Sequence, residues 1–129
     1  MIRATTIALS LAAFAISVPQ KAVAEQPQLL RSGGVLSGEL ALVAGHAEGK
    51  RVTMYQITSE PRKLPGPDGL CNLETGPETF KLVTRGDGDE KVLKKLVGKT
   101  ISIQAKELAC PQGPADIADA VVKSWALAQ

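Results

Sequence analysis

The chain has four aromatic side chains in 129 residues, a single histidine and two cysteines. One histidine cannot supply a zinc-binding pair, and neither cysteine has companion ligands at metal-binding spacing. The cysteines are also too far apart for a Cys-x-x-Cys redox motif. No serine lies in a Gly-x-Ser-x-Gly setting, and no acidic run follows the calcium-loop pattern D-x-[DN]-x-[DN]-G. The expectation is a protein that is not an enzyme and takes neither metal nor cofactor. Long apolar runs are equally scarce: Ile7 to Val18 is one, and it is too short to cross a bilayer.

What is there begins with an address. Arg3 precedes that apolar run, and Ala22-Val23-Ala24 follows it as a small-x-small cleavage site. Residues 1–24 are therefore expected to be a cleaved signal peptide. The destination is the periplasm, with secretion as the alternative and no stable membrane insertion after cleavage. Arg3 and Lys21 leave with the signal, so the 15 basic residues fall to 13 and match the 13 acidic ones. A neutral mature chain with only Tyr55, Phe80 and Trp125 as aromatics lacks the basic groove and stacking platform that nucleic acid requires.

The mature part fits one small domain with a modest core. In an oxidising compartment Cys71 and Cys110 are expected to pair, closing a loop that would add about 4 kcal/mol of stability in the chain-entropy model. Residues 25–34, polar and ending in glycine, read as a flexible leader, and the folded domain is expected over 35–129.

From Val35 to Val43 the pattern alternates: Leu36, Leu40 and Leu42 share one face, and Gly38 marks a bend or bulge. Gly45 to Lys50 reads as a turn. Arg51 to Thr58 is a second strand, with Tyr55 and Ile57 on one face and Met54 and Gln56 on the other. Glu60 to Pro77, holding four prolines, three glycines and Cys71, is an irregular excursion. Thr79 to Thr84 is a third strand. Asp87 to Val97 is a helix with Asp87 or Asp89 as its cap, an apolar face at Val92, Leu93, Leu96 and Val97, and Gly98 as its stop. Lys99 to Ala105 and Asp119 to Leu127 complete five strands, joined by a loop at Pro111 to Pro114.

Three strands, a short helix and two strands form the element order of an OB-fold, a five-stranded Greek-key barrel. Leu96-Val97-Gly98-Lys99-Thr100-Ile101-Ser102-Ile103 resembles the leucine-x-glycine-lysine lead into strand four of OB-like domains. Val35 to Leu127 as a whole resembles the small secreted bacterial OB-fold proteins, mostly of unknown function. The resemblance implies a mainly β fold, an OB-like barrel with one short helix between strands 3 and 4, clamped by one disulfide.

The functional expectation is an envelope binding module for a protein or a small ligand such as a glycan. A secreted glycan-binding subunit of toxin or adhesin type is the alternative. The proline-stiffened loop would meet its partner with little loss of entropy, through Arg62, Lys63, Asp68 and Asn72. Tyr55 and His46 are expected on the adjoining face. Core packing is the competing role for Tyr55, as solvated loop charge is for Arg62 and Lys63. Arg85-Gly86-Asp87 spells an adhesion tripeptide and, equally, an ordinary turn before a helix.

Overall fold

The computed structural model describes residues 27–128; the expected signal peptide lies outside them. Five strands form the main sheet: β2 (Gly34–Ala47), β3 (Lys50–Thr58), β5 (Thr79–Leu82), β6 (Thr100–Ala109) and β7 (Ala120–Leu127). They pair in the order β2-β3-β5-β7-β6, and β6 returns to β2, so the sheet closes on itself. Its shortest seam is the parallel pairing of Phe80, Lys81 and Leu82 with Ala120, Val121 and Val122. Among the described residues the single helix, α1 (Asp87–Leu96), lies between β5 and β6, the third and fourth strands of that ring in sequence.

β2 supports two neighbours in succession. It pairs with β6 from Gly34 to Glu39 and with β3 from Glu39 to Ala47. Gly38 sits beside the handover, where β3 comes so close that any Cβ would overlap the Thr58 carbonyl oxygen. The β2–β3 register runs unbroken past this point, and the register shifts fall instead on β6, between Ala105 and Leu108. Only glycine permits the approach; a bulge is not what bends this strand. Glu48 and Gly49, with φ of 53° and 76°, then form the tight turn of a long hairpin whose tip extends beyond the ring.

The core joins Leu36, Leu40, Ile57, Phe80, Leu82, Ile103 and Val122 to Leu93 from α1. Residues 28–30 correct the expectation of a loose leader. Gln28–Leu29 forms β1, which pairs in parallel with β4 (Arg62–Lys63), and Leu30 is fully buried in the core. A buried leucine removes roughly 2 kcal/mol worth of apolar surface from water, enough to anchor a short segment.

The excursion from 60 to 77 is anchored in the same way. Leu64 and Pro77 are buried, Leu64 N–H donates to Gly69 O, and Cys71 is bonded to Cys110 across a Cα–Cα distance of 5.4 Å. The disulfide expectation holds.

Two further readings change. The helix cap is Gly86, with no side-chain cap bond; Asp89 instead accepts the Arg85 backbone N–H at 2.9 Å. Leu42 leaves the face it shares in sequence with Leu36 and Leu40, being 53% exposed. By Leu42, β2 has passed the end of its pairing with β6, so the inward face of the strand opens at the rim. On the opposite face of the hairpin Ala47 and Met54 are buried, and Ile117 from the β6–β7 loop packs over Gly45, where a methyl group would overlap it.

Candidate functional site

The surface is concave at the rim around Leu42. Leu42 and Tyr55 are cross-strand partners, and they line two adjoining depressions. One, of about 380 Å³, lies against α1 and is walled by Asp87, Glu90, Lys91 and Lys94. The other, of about 280 Å³, opens where β5 parts from β3 beyond Leu82, and reaches Thr53, Val83 and Thr84. Together they form a groove that is mainly apolar beside α1 and more polar at its β5 end, with both charges along its walls.

Each wall has a local cause. Tyr55 is the first residue of β3 to pair with β5, at the rim end of that pairing; its ring packs on the core while its hydroxyl reaches the groove and donates to Glu90 O in a long contact of 3.5 Å. α1 is held by Leu93, which is fully buried, and by the Gly98 N–H donating to Leu40 O at 2.7 Å. With Leu93 pointing inward, Asp87, Glu90, Lys91 and Lys94 fall on the exposed flank facing Leu42. Acidic residues in the first turn and lysines in the last also complement the helix dipole.

The residues singled out from sequence are not gathered into one site. Tyr55 belongs to the groove. His46 is exposed near the hairpin tip, opposite Arg51, and lines neither depression. Arg62 is half-buried, its Nε donating to Gln28 O at 3.3 Å, and Lys63 lends its carbonyl to the Leu30 N–H at 2.7 Å. Asp68 is exposed while its carbonyl accepts from Cys71 N–H, and Asn72 is exposed with a φ of 62°. None of the four loop residues lines the groove.

Leu42, Asp87, Glu90, Lys91 and Lys94 were not among the site residues expected from the sequence, where Leu42 read as strand core and the charges as part of the helix. Helical spacing at 87, 90, 91 and 94 would have grouped the four charges on one flank, but nothing in the strand pattern distinguishes Leu42 from Leu36 and Leu40. Trp125 is turned to structural use, its indole N–H donating to Val83 O at 2.8 Å. Arg85 is likewise engaged, its guanidinium donating to Ser124 Oγ at 2.7 Å. Among the described residues, no group of three or more His, Cys, Asp or Glu side chains is placed to hold a metal ion.

Compared with known protein families, curated proteins and solved structures, the chain matches none.

Proposed function

We propose that the protein is an exported, non-enzymatic binding protein of the cell envelope, built as an OB-like barrel, which seats its partner in the groove between Leu42 and α1. One observation carries the reading. Leu42 is a large apolar side chain held 53% exposed on a rigid strand, beside Tyr55 and inside a concavity rather than on a convex surface. Concave sites of this size, apolar with a few polar groups at the edge, are where ligands and partner side chains dock.

The OB-like assignment is supported by the closed order β2-β3-β5-β7-β6 and by a helix between the third and fourth strands of the ring. Export is supported by the Arg3, Ile7 to Val18 and Ala22-Val23-Ala24 pattern and by the disulfide, which an oxidising compartment sustains. A binding role without catalysis suits a groove whose hydroxyl groups, on Thr53, Tyr55 and Thr84, have no histidine beside them. The glycan-binding alternative is less well supported. Trp125 is committed to Val83, which leaves Tyr55 without an aromatic partner for stacking on a sugar. α1, at ten residues, spans only about 15 Å, short for lining the pore of a toxin-type ring.

The test is a photo-reactive residue placed at position 42 or, in a second variant, at position 63, followed by crosslinking in intact cells. Capture of another protein from position 42 that is lost on Lys94→Glu, with an unchanged melting temperature, is the expected result. Capture from position 63 alone would move the site to the loop. A product with the mass of two copies of this chain reports self-association and is scored separately.

A further inference from the structure

The seam between β2 and β6 ends because the chain turns out of it. Leu40 makes the last outward bonds of β2, donating to Lys99 O and accepting from Gly98 N–H. Gly98, with a φ of 85°, and the Lys99 N–H, donating to Leu96 O at 3.0 Å, then close a turn, so that α1 and not more strand precedes β6. Beyond Leu40, alternation turns the N–H and C=O groups of Leu42, Ala44 and His46 outward, and among the described residues no strand meets them. Native proteins blunt a free edge with lysine, proline or a bulge. From Leu40 to Ala47 this one has no charged residue and no proline, and its register is regular. It also borders the groove, since Leu42 belongs to both.

We infer that this edge takes an extended segment of a partner protein, apolar in its middle and acidic at its ends, running antiparallel to β2 in the line that β6 leaves. The inference rests on the groove reading and names what the groove receives. Pairing with Leu42, Ala44 and His46 would supply about six N–H···O bonds, the usual gain of adding a strand to a sheet edge. Alternate side chains of the segment then fall on two faces. Those level with Leu42 and Ala44 hang over the groove, and those between them come level with Val43 and Gly45, beside the exposed Ile117. Both surroundings are apolar, which sets the middle of the segment.

The charge at its ends follows from the lysines. Lys94 and Lys95, in the last turn of α1, and Lys99 are exposed at the Leu40 end of the edge, and Lys50 and Arg51 are exposed at the hairpin tip. Against these, the sequence from Leu40 to Arg51 contains one acidic residue, Glu48. The acidic residues of α1 stand in its first turn, at the end remote from Gly98. An acidic segment is therefore attracted at both ends, and a basic one repelled. A second copy of this edge does not fit the same place. Paired about Ala44, it would bring its Ala47 and Glu48 onto the position beside Leu40 that Gly98 and Lys99 hold. A short segment stops before it.

NMR titration of the mature, oxidised protein with the blocked peptide Glu-Glu-Val-Thr-Val-Thr-Val-Glu-Glu tests the inference. The expected result is binding with a dissociation constant below about 1 mM, and about tenfold or more tighter than the matching peptide with lysine in place of every glutamate. The amides of Leu42, Ala44 and His46 should become protected from exchange as the acidic peptide is added. Proline in place of its central valine, which removes a strand donor, should abolish that protection. Lys94→Glu combined with Lys99→Glu should remove the preference for the acidic peptide. Should that double variant fail to fold, the two peptides compared on the unmodified protein decide instead. No binding of the acidic peptide, equal binding of the two peptides, or binding that leaves the three amides unprotected overturns the inference. The groove reading fails separately, by absence of capture from position 42 in cells; capture there without peptide-induced protection retains the groove and strikes the strand.

Discussion

Thr79 and Asp119 hold each other at the parallel seam of the sheet. The Asp119 backbone N–H donates to Thr79 Oγ1 at 2.9 Å, while the Asp119 carboxylate accepts the backbone N–H groups of Glu78, at 3.1 Å, and Thr79, at 3.4 Å. This latch stands directly before the three-residue pairing of β5 with β7. Removing the carboxylate leaves two strand-end donors without acceptors. Asp119→Ala should therefore cost about 1–3 kcal/mol in urea unfolding, and Asp119→Asn less, because it retains an oxygen. Thr79→Val combined with Asp119→Ala should cost less than the sum of the single changes.

Asp116 makes acid stability predictable in sign. The Gln112 backbone N–H, donating at 3.0 Å, is the largest influence holding its carboxyl below the ordinary value of 3.8, followed by the hydrogen bond from Lys81 at 2.9 Å. A folded-state value below the unfolded one means stability that is present above the unfolded value and is lost as pH falls through the folded one. Melting temperature should decline on acidification below the ordinary carboxylate range. In Asp116→Asn that decline should be shallower. An identical acid limb in both proteins would show that the bonds of Asp116 carry no pH-dependent stability.

The disulfide joins the 60–77 loop to the end of β6, two segments whose residues are 39 positions apart. Constraining an unfolded loop of that length is worth about 4 kcal/mol in the chain-entropy model. Cys71→Ala with Cys110→Ala should lower the melting temperature by on the order of 15 °C, a large shift for so small a domain. Leu64 and Leu30 still bury themselves without it, so the double variant should remain folded at room temperature, as circular dichroism would report.

Gly38→Ala should be among the most damaging single changes outside the core. The added methyl meets backbone, the Thr58 carbonyl, and also the Ile57 side chain, so relief requires β2 and β3 to move apart. A loss of about 2–4 kcal/mol is expected from overpacking at a strand crossing, measured by chemical denaturation. Gly88→Ala, at an open position in α1, supplies the control and should be neutral or slightly stabilising.

Much of the fold was legible in the sequence because its signals are local. Alternation marked the strands, Gly98 marked the helix stop, and two cysteines with no other ligand or redox motif around them marked their own pairing. What required the tertiary structure was the fate of residues whose local pattern is ambiguous. Leu36, Leu40 and Leu42 are indistinguishable by periodicity, yet two are buried and the third is exposed, because pairing with β6 stops at Glu39. Leu30 reads as part of a polar leader but is buried, since β4, more than thirty residues away, offers it a strand partner. Arg62 reads as a free surface charge but is engaged by Gln28. Side-chain period is a property of neighbours along the chain and was determined by the sequence; where a strand loses its flanking partner depends on segments distant in sequence, and only the closed sheet decided it.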